Sequence, residues 1–294
     1  MSEAPCRSLK PRPGPARPPK GFRGTSGGNE LFMVRIGCSG WSYAHWRGVL
    51  YPEKGSTASW LQLYAQRFDT VEVNATFYRL PTRASVERWA SRTPESFCFA
   101  VKASRYLTHV RRLTGLEEGL RRLEERIGPL RSTSKLGPML WQLDGRFHRD
   151  QTRLAAALER LPEGRHAVEF RHDSWFVDDV YELLRTHRVA LVVADRAPAG
   201  PTPWVPTCDW AYIRFHSGRG RNGVYTRSQI REWAGRLPAF GGDVYAYFNN
   251  DWEAFAVKNA QQLRDALGVV PEGARSQSAL SALRRQTRRT PSLR

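Results

Sequence analysis

Ionisable side chains recur just after short apolar runs of this chain, in a pattern that suits acid/base chemistry. Glu72 follows one run in TVEVN, Glu169 follows another in AVEF, and Lys102 closes a third, FCFAVK. Two carboxylates can act as proton donor and acceptor when burial raises one pKa and a neighbouring cation lowers the other. The residues predicted to be catalytic are Glu72, Lys102, Glu169, Asp195 and His216.

Cationic, amide and aromatic side chains stand near the same run ends and predict a binding site for an anion. Arg171 and Arg214 would clamp an anionic group or stabilise developing negative charge. The aromatic residues of SGWSYAHWRGVLYP would stack on a sugar or base, or else pack together as a lid. The residues predicted to bind substrate are Trp41, Tyr43, Asn74, Tyr78, His109, Gln142, Arg171, His172, Trp175, Arg214 and Asn249.

The elements that carry these residues are predicted to be eight strands alternating with helices. Apolar β-branched or aromatic runs lie at 34–38, 70–74, 97–101, 138–142, 166–170, 189–193, 210–215 and 243–248. Helical spacing follows at 57–67, 83–91, 115–127, 150–160, 176–187, 226–236 and 252–266. This alternation predicts an α/β chain with a single (β/α)₈ TIM-barrel-like domain, whose chemistry would sit where the carboxyl ends of the strands converge.

Alternation within the strands indicates which side chains point inward. Glu72 shares a face with Asn74, and Glu169 shares one with Ala167 and Arg171. If the small residues fill the barrel, the charges lie inward above them. Ionised groups in such a place must be paired or solvated, so a purely structural ion-pair network is the alternative to a catalytic site.

Composition divides the chain into a folded unit and two basic tails. The 294 residues are 40% hydrophobic and 25% charged, with a formal net charge of +18. Residues 1–30 carry +4 and residues 271–294 carry +5, which leaves +9 between them. We predict a disordered Pro/Arg-rich tail at 1–30, the barrel at 31–268 and a basic C-terminal tail at 269–294. Met33, directly before the first strand, is a candidate native start.

Other sequence features bear on location. No run approaches the roughly 20 apolar residues that a membrane helix needs. The first 30 residues have no apolar core of a secretory signal. The four cysteines, at 6, 38, 98 and 208, form no CxxC pair, which argues against a zinc ribbon or a disulfide framework. We therefore predict a cytoplasmic protein without membrane partners, and the sequence leaves its oligomeric state open.

Several motifs together resemble one known family. The runs IGCSGWSYAHWRGVLYP, TVEVNATFYRLP, VKASRYLTH, MLWQL, AVEFRHDSW, YIRFHSG and YFNND, in this order, are similar to the DUF72 (YecE-like) family. The resemblance spans residues 34 to about 266 and implies a TIM-barrel-like fold, but no established reaction. It implies recurring rim positions at Gly40, Trp41, Tyr43, Glu72, Asn74, Tyr78, Lys102, His109, Gln142, Glu169, Arg171, Trp175, Asp195, Arg214, His216 and Asn249.

The functional interpretation therefore has a leading form and two alternatives. The leading one is an enzyme doing acid/base chemistry, as a lyase, isomerase or hydrolase, on a small anionic substrate such as a phosphorylated sugar. The first alternative is a nucleic-acid-binding protein or a metal-dependent phosphodiesterase resembling a nuclease, supported by the net charge. The second is a metabolite-binding protein without catalysis. No metal ligands are assigned, although a divalent metal is compatible with the rim carboxylates and histidines.

Overall fold

The structure is a computed structural model that describes residues 32–269, and parallel strands alternating with helices form its framework. The ten strands of this part are β1 Val34–Cys38, β2 Thr70–Val73, β3 Cys98–Lys102, β4 Leu136–Gln142, β5 His166–Glu169, β6 Ala190–Leu191, β7 Val193–Arg196, β8 Gly200–Pro201, β9 Trp210–Ser217 and β10 Asp243–Phe248. Its α-helices are α1 Trp60–Ala65, α2 Ala75–Tyr78, α3 Arg83–Ser91, α4 Glu117–Ser132, α5 Gln151–Leu158, α6 Asp178–Thr186, α7 Arg227–Arg236 and α8 Phe255–Leu267.

Two five-stranded sheets contain these strands, in the orders β1-β10-β9-β7-β8 and β2-β3-β4-β5-β6. All pairings are parallel except that of β7 with the short strand β8. At one seam Ser39 bridges to Glu72; at the other, Val192 joins β6 to β7 along the chain, and its N–H extends the β5–β6 pairing by donating to Val168 O at 3.0 Å. The predicted α/β, TIM-barrel-like fold is thus confirmed, with its sixth strand divided into β6 and β7.

The inside of the strand ring is filled by small and aromatic side chains at alternate strand positions. This interior cluster consists of Cys98, Ala100, Leu140, Ala167, Ala190, Val192, Ala194, Trp210, Tyr212, Tyr245 and Tyr247. A larger apolar cluster of intervening residues packs between the strands and the helices. Because Ala100 and Ala167 lie inside, the residues two positions later, Lys102 and Glu169, also face inward, above the interior cluster.

Local signals explain where several helices begin. Thr226 precedes α7 and forms a capping box with Gln229, in which each side chain bonds the other residue's backbone N–H. Asp150 caps α5 by accepting the N–H of Arg153 at 3.0 Å. Thr82 caps α3 in the same way, through the N–H of Ser85. These caps set where the chain leaves each rim loop and enters the helix layer.

The predicted boundaries of the folded unit can be compared with the structure only in part. The tails predicted at 1–30 and 269–294 lie outside the described residues, except for Val269. Within residues 32–269, no helix is both long and apolar enough to cross a membrane.

Candidate functional site

Arg214 lies at the centre of the rim and joins two buried glutamates. Its Nε and Nη2 donate to Glu72 Oε2 and Oε1 at 2.9 and 2.7 Å. Its Nη1 donates to Glu169 Oε2 at 2.7 Å. All three side chains are at most 1% exposed. The guanidinium on β9 therefore connects the end of β2 with the end of β5 inside the strand ring.

Glu169 is the most heavily used acceptor of the site. Besides Arg214, its carboxylate forms ion pairs with Arg171 at 2.6 Å and Arg196 at 3.5 Å. His216 Nε2 lies 3.2 Å from Oε1, and Gln142 Nε2 donates to Oε2 at 3.0 Å. Charge-assisted contacts of this number hold the carboxylate ionised and fixed.

Glu72 has a different set of partners. Besides the two bonds from Arg214, its carboxylate accepts hydrogen bonds from two neutral hydroxyl groups. Ser39 donates through a short hydrogen bond to Oε1, and Tyr212 OH donates to Oε2 at 2.7 Å. Tyr43 OH in turn donates to Ser39 O at 2.7 Å, which connects the aromatic loop to this carboxylate.

The pKa values of the two glutamates are shifted in the same direction. Burial opposes ionisation of Glu72, but the charge of Arg214 and hydrogen bonds from Arg214, Ser39 and Tyr212 lower its pKa overall. Burial likewise opposes ionisation of Glu169, and Arg214 with His216 hold its pKa well below the usual range. The pKa of Arg214 is raised despite burial, because both carboxylates face it. The pKa values of both glutamates are therefore lowered, because one cation, Arg214, faces both carboxylates.

Lys102 is the titratable group of the site whose charge is least compensated. It is 7% exposed, its Nζ donates to Gln142 Oε1 at 2.9 Å, and the ammonium lies 3.9 Å from the centre of the Phe77 ring. Burial, followed by the charge of Arg214, lowers its pKa to about 8. Within residues 32–269 no carboxylate oxygen forms an ion pair with it, so its protonation is sensitive to a bound ligand.

His216 and Asn249 extend the network toward β10. Burial lowers the pKa of His216 to about 4, against the opposing effect of Glu169, so its imidazole is neutral at pH 7. Asn249 Nδ2 lies 3.2 Å from Nδ1, which is the acceptor if the amide nitrogen donates. The other nitrogen can then donate to Glu169. We call this connected set the rim network: Glu72, Lys102, Gln142, Glu169, Arg171, Arg196, Arg214, His216 and Asn249.

Three further predicted residues lie around the mouth of the rim network without being part of it. Tyr43 is partly buried, and burial with the nearby charge of Asp251 raises its pKa to about 12. His109 is partly buried edge-on to Phe77, and its pKa is lowered by burial. Asn74 Oδ1 is buried without a hydrogen-bond partner, which leaves an acceptor for a bound molecule.

Two of the predicted site residues are core residues. Asp195 points outward from β7, where its Oδ2 accepts from Trp233 Nε1 of α7 at 2.9 Å. Burial raises its pKa, but its carboxylate belongs to the helix layer and has no contact with the rim network. Trp175 is fully buried, stacks on Phe170 and donates to Phe147 O.

Three other predicted site residues lie beside the rim network. Trp41 packs edge-on against Trp89 of α3, with ring centres 5.2 Å apart. His172 is turned toward His148, with ring centres 3.9 Å apart. Tyr78 is 79% exposed and lines a cavity of about 450 Å³ that adjoins Phe77. The structure therefore does not bring these predicted binding residues into the rim network.

Four residues that contact the network were not predicted from the sequence: Ser39, Phe77, Arg196 and Tyr212. A signal existed for three of them. Tyr212 precedes Arg214 by two positions, and Arg196 follows Ala194 by two, so both share the inward parity of the strands. Ser39 is the polar residue directly after the first strand and alternates with the outward-facing Ile36 and Cys38. Phe77 lies in α2, the turn after β2, for which strand alternation gives no indication.

The described part of the chain contains no group of three or more His, Cys, Asp and Glu side chains arranged to hold a metal ion. The rim carboxylates face arginines instead, and His216 lies 3.3 Å from Arg171 and 3.5 Å from Arg214. Cations at these positions repel a metal, so the residues present fit an anion better than a divalent cation.

Comparisons with known proteins identify the family of this chain. A family model described as "Protein of unknown function DUF72" matches residues 35–283. UPF0759 protein YunF of Bacillus subtilis (strain 168) is 26% identical over 278 residues, which cover 82% of this chain and 97% of the relative. UPF0759 protein YecE of Escherichia coli (strain K12) is 32% identical over 146 residues, 49% of this chain and 50% of the relative.

Solved structures of this family share the fold. A DUF72 family protein from Thermotoga maritima MSB8 is 31% identical, with a TM-score of 0.72 over 80% of this chain and 99% of that chain. A DUF72 family protein from Enterococcus faecalis V583 is 22% identical, with a TM-score of 0.68 over 82% and 99% of the two chains. The chain belongs to the DUF72 family.

Proposed function

We propose that this protein is an enzyme that binds a small anionic substrate at the rim network and transfers a proton to or from it with Lys102. The substrate class that fits is a phosphorylated or carboxylated sugar-like molecule. Its reaction is a lyase, isomerase or hydrolase step, since each of these requires proton transfer beside a stabilised negative charge.

The charge balance of the rim network carries this proposal. Four cations, Lys102, Arg171, Arg196 and Arg214, face two carboxylates, Glu72 and Glu169. His216 adds no charge at pH 7 because its pKa is about 4. An excess of two positive charges therefore remains while Lys102 is protonated, and a partly buried excess of this kind favours an anionic ligand.

Access to solvent separates the binding residues from the supporting ones. The Arg214 side chain is 1% exposed, and all three of its nitrogens donate to the two glutamates. The side chains of Arg171 and Arg196 are 21% and 40% exposed. Arg171 and Arg196 are thus the residues that can reach an incoming anion. Asn74 Oδ1, which has no partner, can accept a hydrogen bond from a hydroxyl of the same ligand.

Thermal unfolding with added ligand tests the proposal. Inorganic phosphate and ribose 5-phosphate should raise the melting temperature, because a ligand at ten times its Kd stabilises the folded state by about 1.4 kcal/mol. Arg171→Gln and Arg196→Gln should each reduce this shift. Arg83→Gln, an exposed arginine of α3 paired with Glu87, is the matched control and should leave it unchanged.

Neutral ribose separates anion binding from sugar binding. If ribose stabilises the protein as much as ribose 5-phosphate does, or if both arginine variants retain the full shift, the proposed anion site is wrong.

A further inference from the structure

We propose that Lys102 is an amine nucleophile that forms a Schiff base with the carbonyl group of its substrate. The substrate would then be an aldehyde or ketone that also carries a phosphate or carboxylate group. This inference rests on the anion site of the proposed function and makes its substrate class more specific, and it assigns Lys102 the role of nucleophile in place of direct proton transfer.

The first argument is a comparison of two buried lysines. Lys135, 6% exposed, donates to Ala90 O, to Thr93 O at 2.7 Å and to Thr93 Oγ1 at 3.2 Å, which occupies all three of its N–H groups. Lys102 is equally buried but donates to one acceptor, Gln142 Oε1. Lys135 is therefore fixed as a structural cation, whereas Lys102 can lose a proton without abandoning a set of backbone acceptors.

The second argument concerns the charges that face Lys102. Arg214 from β9 and Arg171 after β5 disfavour its protonated form, while Glu72 on β2 and Glu169 on β5 favour it. His109, after β3, also faces Lys102, and its own pKa is lowered. Burial and the arginines prevail, because Arg214 already neutralises much of the field of the glutamates. Lowered basicity supplies the neutral amine that nucleophilic attack requires.

The proposed step balances without a further reactant. The neutral Lys102 amine attacks the carbonyl carbon, the C–N bond forms, and a proton moves from nitrogen to oxygen to give a carbinolamine. The hydroxyl takes up a proton from solvent and leaves as water, while nitrogen forms the C=N bond. The resulting iminium is positively charged and withdraws electrons from the adjacent carbon. Arg171 and Arg196 would hold the anionic group of the same molecule.

Reductive trapping tests this directly on the full chain. The protein is incubated with ribose 5-phosphate or pyruvate and sodium cyanoborohydride, digested, and mapped by mass spectrometry. Hydride addition to the imine leaves a stable secondary amine on the modified lysine. The sequence contains only six lysines, so each site is resolved separately. We expect modification at Lys102 at least tenfold above that at the exposed residues Lys54 and Lys258.

Matched probes and variants control for general reactivity. Neutral glyceraldehyde should lose the preference for Lys102, because it has no group for Arg171 and Arg196. Trapping at Lys102 should accelerate as pH rises toward 8, where the neutral amine becomes abundant. Lys102→Arg should abolish site-specific trapping while Lys54→Arg leaves it unchanged; the mapping on the unaltered chain does not depend on whether either variant folds.

The outcomes separate this inference from the proposed function. Uniform labelling of Lys54, Lys102 and Lys258, or preferential labelling of Lys135, would overturn the Schiff-base assignment. If phosphate still raises the melting temperature in an Arg171-dependent manner, the anion site stands and only the covalent step is wrong. If trapping occurs at Lys102 but anions give no such shift, the covalent step is supported and the anion site is rejected.

Discussion

Arg214 holds two buried carboxylates together at the centre of the rim network. It donates to Glu72 and Glu169, both fully buried, and its removal would leave two carboxylates facing each other without their shared cation. We predict that Arg214→Ala destabilises the fold by roughly 3–5 kcal/mol, as measured by urea unfolding. Retained stability would mean that the carboxylates take up protons or other partners at little cost.

A double variant serves as the control for this prediction. Glu72→Gln removes one of the stranded charges, so Glu72→Gln combined with Arg214→Ala should be more stable than Arg214→Ala alone. The same reasoning explains why Arg171 and Arg196, rather than Arg214, are the residues with which to test ligand binding. Substituting Arg214 would confuse loss of ligand with loss of the fold.

His216 predicts a second, pH-dependent effect at the residue scale. Its pKa is about 4 in the folded protein and near its ordinary value of 6.5 in the unfolded chain. Between these pH values the unfolded state binds more protons than the folded state. The contribution of His216 to the free energy of unfolding is therefore fully present above pH 6.5 and is lost as the pH falls toward 4. The expected loss is on the order of 3 kcal/mol, from about 1.4 kcal/mol per pKa unit.

Unfolding free energies measured between pH 7 and pH 4 check this expectation. His216→Gln should flatten the decline, whereas His148→Gln, at an exposed histidine, should not. An unchanged slope in His216→Gln would show that other groups carry the acid dependence. Glu72 and Glu169 contribute to the loss of stability at lower pH than His216 does. Their pKa values are lowered in the folded protein, so their contribution to the free energy of unfolding is lost only below the unfolded pKa of 4.5.

Most of the residues that form the site could be predicted because strand ends and strand parity are visible in a sequence. Lys102 and Glu169 end their strands, Arg214 lies in the second half of β9, and all three are on the inward face. Asp195 also stands at a strand end but has the opposite parity, because Ala194 and Arg196 point inward. In this strand, the alternation of small residues therefore predicts the inward-facing positions better than proximity to the strand end does.

At the scale of elements, turn geometry limited what could be foreseen. The short 3₁₀ helix Asp173–Trp175 follows β5 and turns Trp175 into the helix layer and His172 toward His148. The end of a strand predicts where the chain reaches the rim. The directions of the loop side chains that follow depend on two or three further backbone dihedral angles. For the same reason, the helix and strand positions agree with the sequence prediction better than the loop residues do.

The seam between β1 and β2 leads to a prediction about backbone packing. A Cβ added at Gly37 would lie 2.3 Å from Thr70 O and 2.8 Å from Tyr64 OH, both part of the packed seam. Gly37→Ala must push the two strands apart, and we expect a loss of about 1–3 kcal/mol in the free energy of unfolding. Because Ser39 and Glu72 bridge the same seam, the variant should also weaken phosphate binding.

Gly235 of α7 is the matched control for that substitution. No heavy atom lies within 4 Å of a Cβ at this position, and the residue is in a helix. Gly235→Ala should therefore stabilise the protein by about 0.5–1 kcal/mol, through helix propensity and the unfolded chain. Equal stability of both alanine variants would show that the strand seam can widen at no cost.

At the scale of the whole molecule, the positive charge has two origins that respond differently to salt. The net charge of +18 includes +9 from residues 1–30 and 271–294, and many of the remaining arginines are paired on the helix surface. The rim network holds a compact, partly buried excess of positive charge, whereas the remaining positive charge is spread along the chain. Diffuse charge attracts polyanions in general, which is the basis of the nucleic-acid alternative.

Salt dependence separates these origins. We predict that double-stranded DNA binds at low salt and, with about six or more phosphate contacts, loses affinity by a factor of roughly 10³ or more between 50 and 200 mM salt, because each phosphate contact releases a counterion. The phosphate-induced rise in melting temperature should persist at 200 mM, since Arg171 and Arg196 act at contact distance, within the screening length of about 8 Å. Fluorescence anisotropy and thermal unfolding measure the two. DNA binding that survives 200 mM salt and is displaced by phosphate would instead identify the rim network as a site for a phosphodiester backbone, because Arg171 and Arg196 would then serve both ligands.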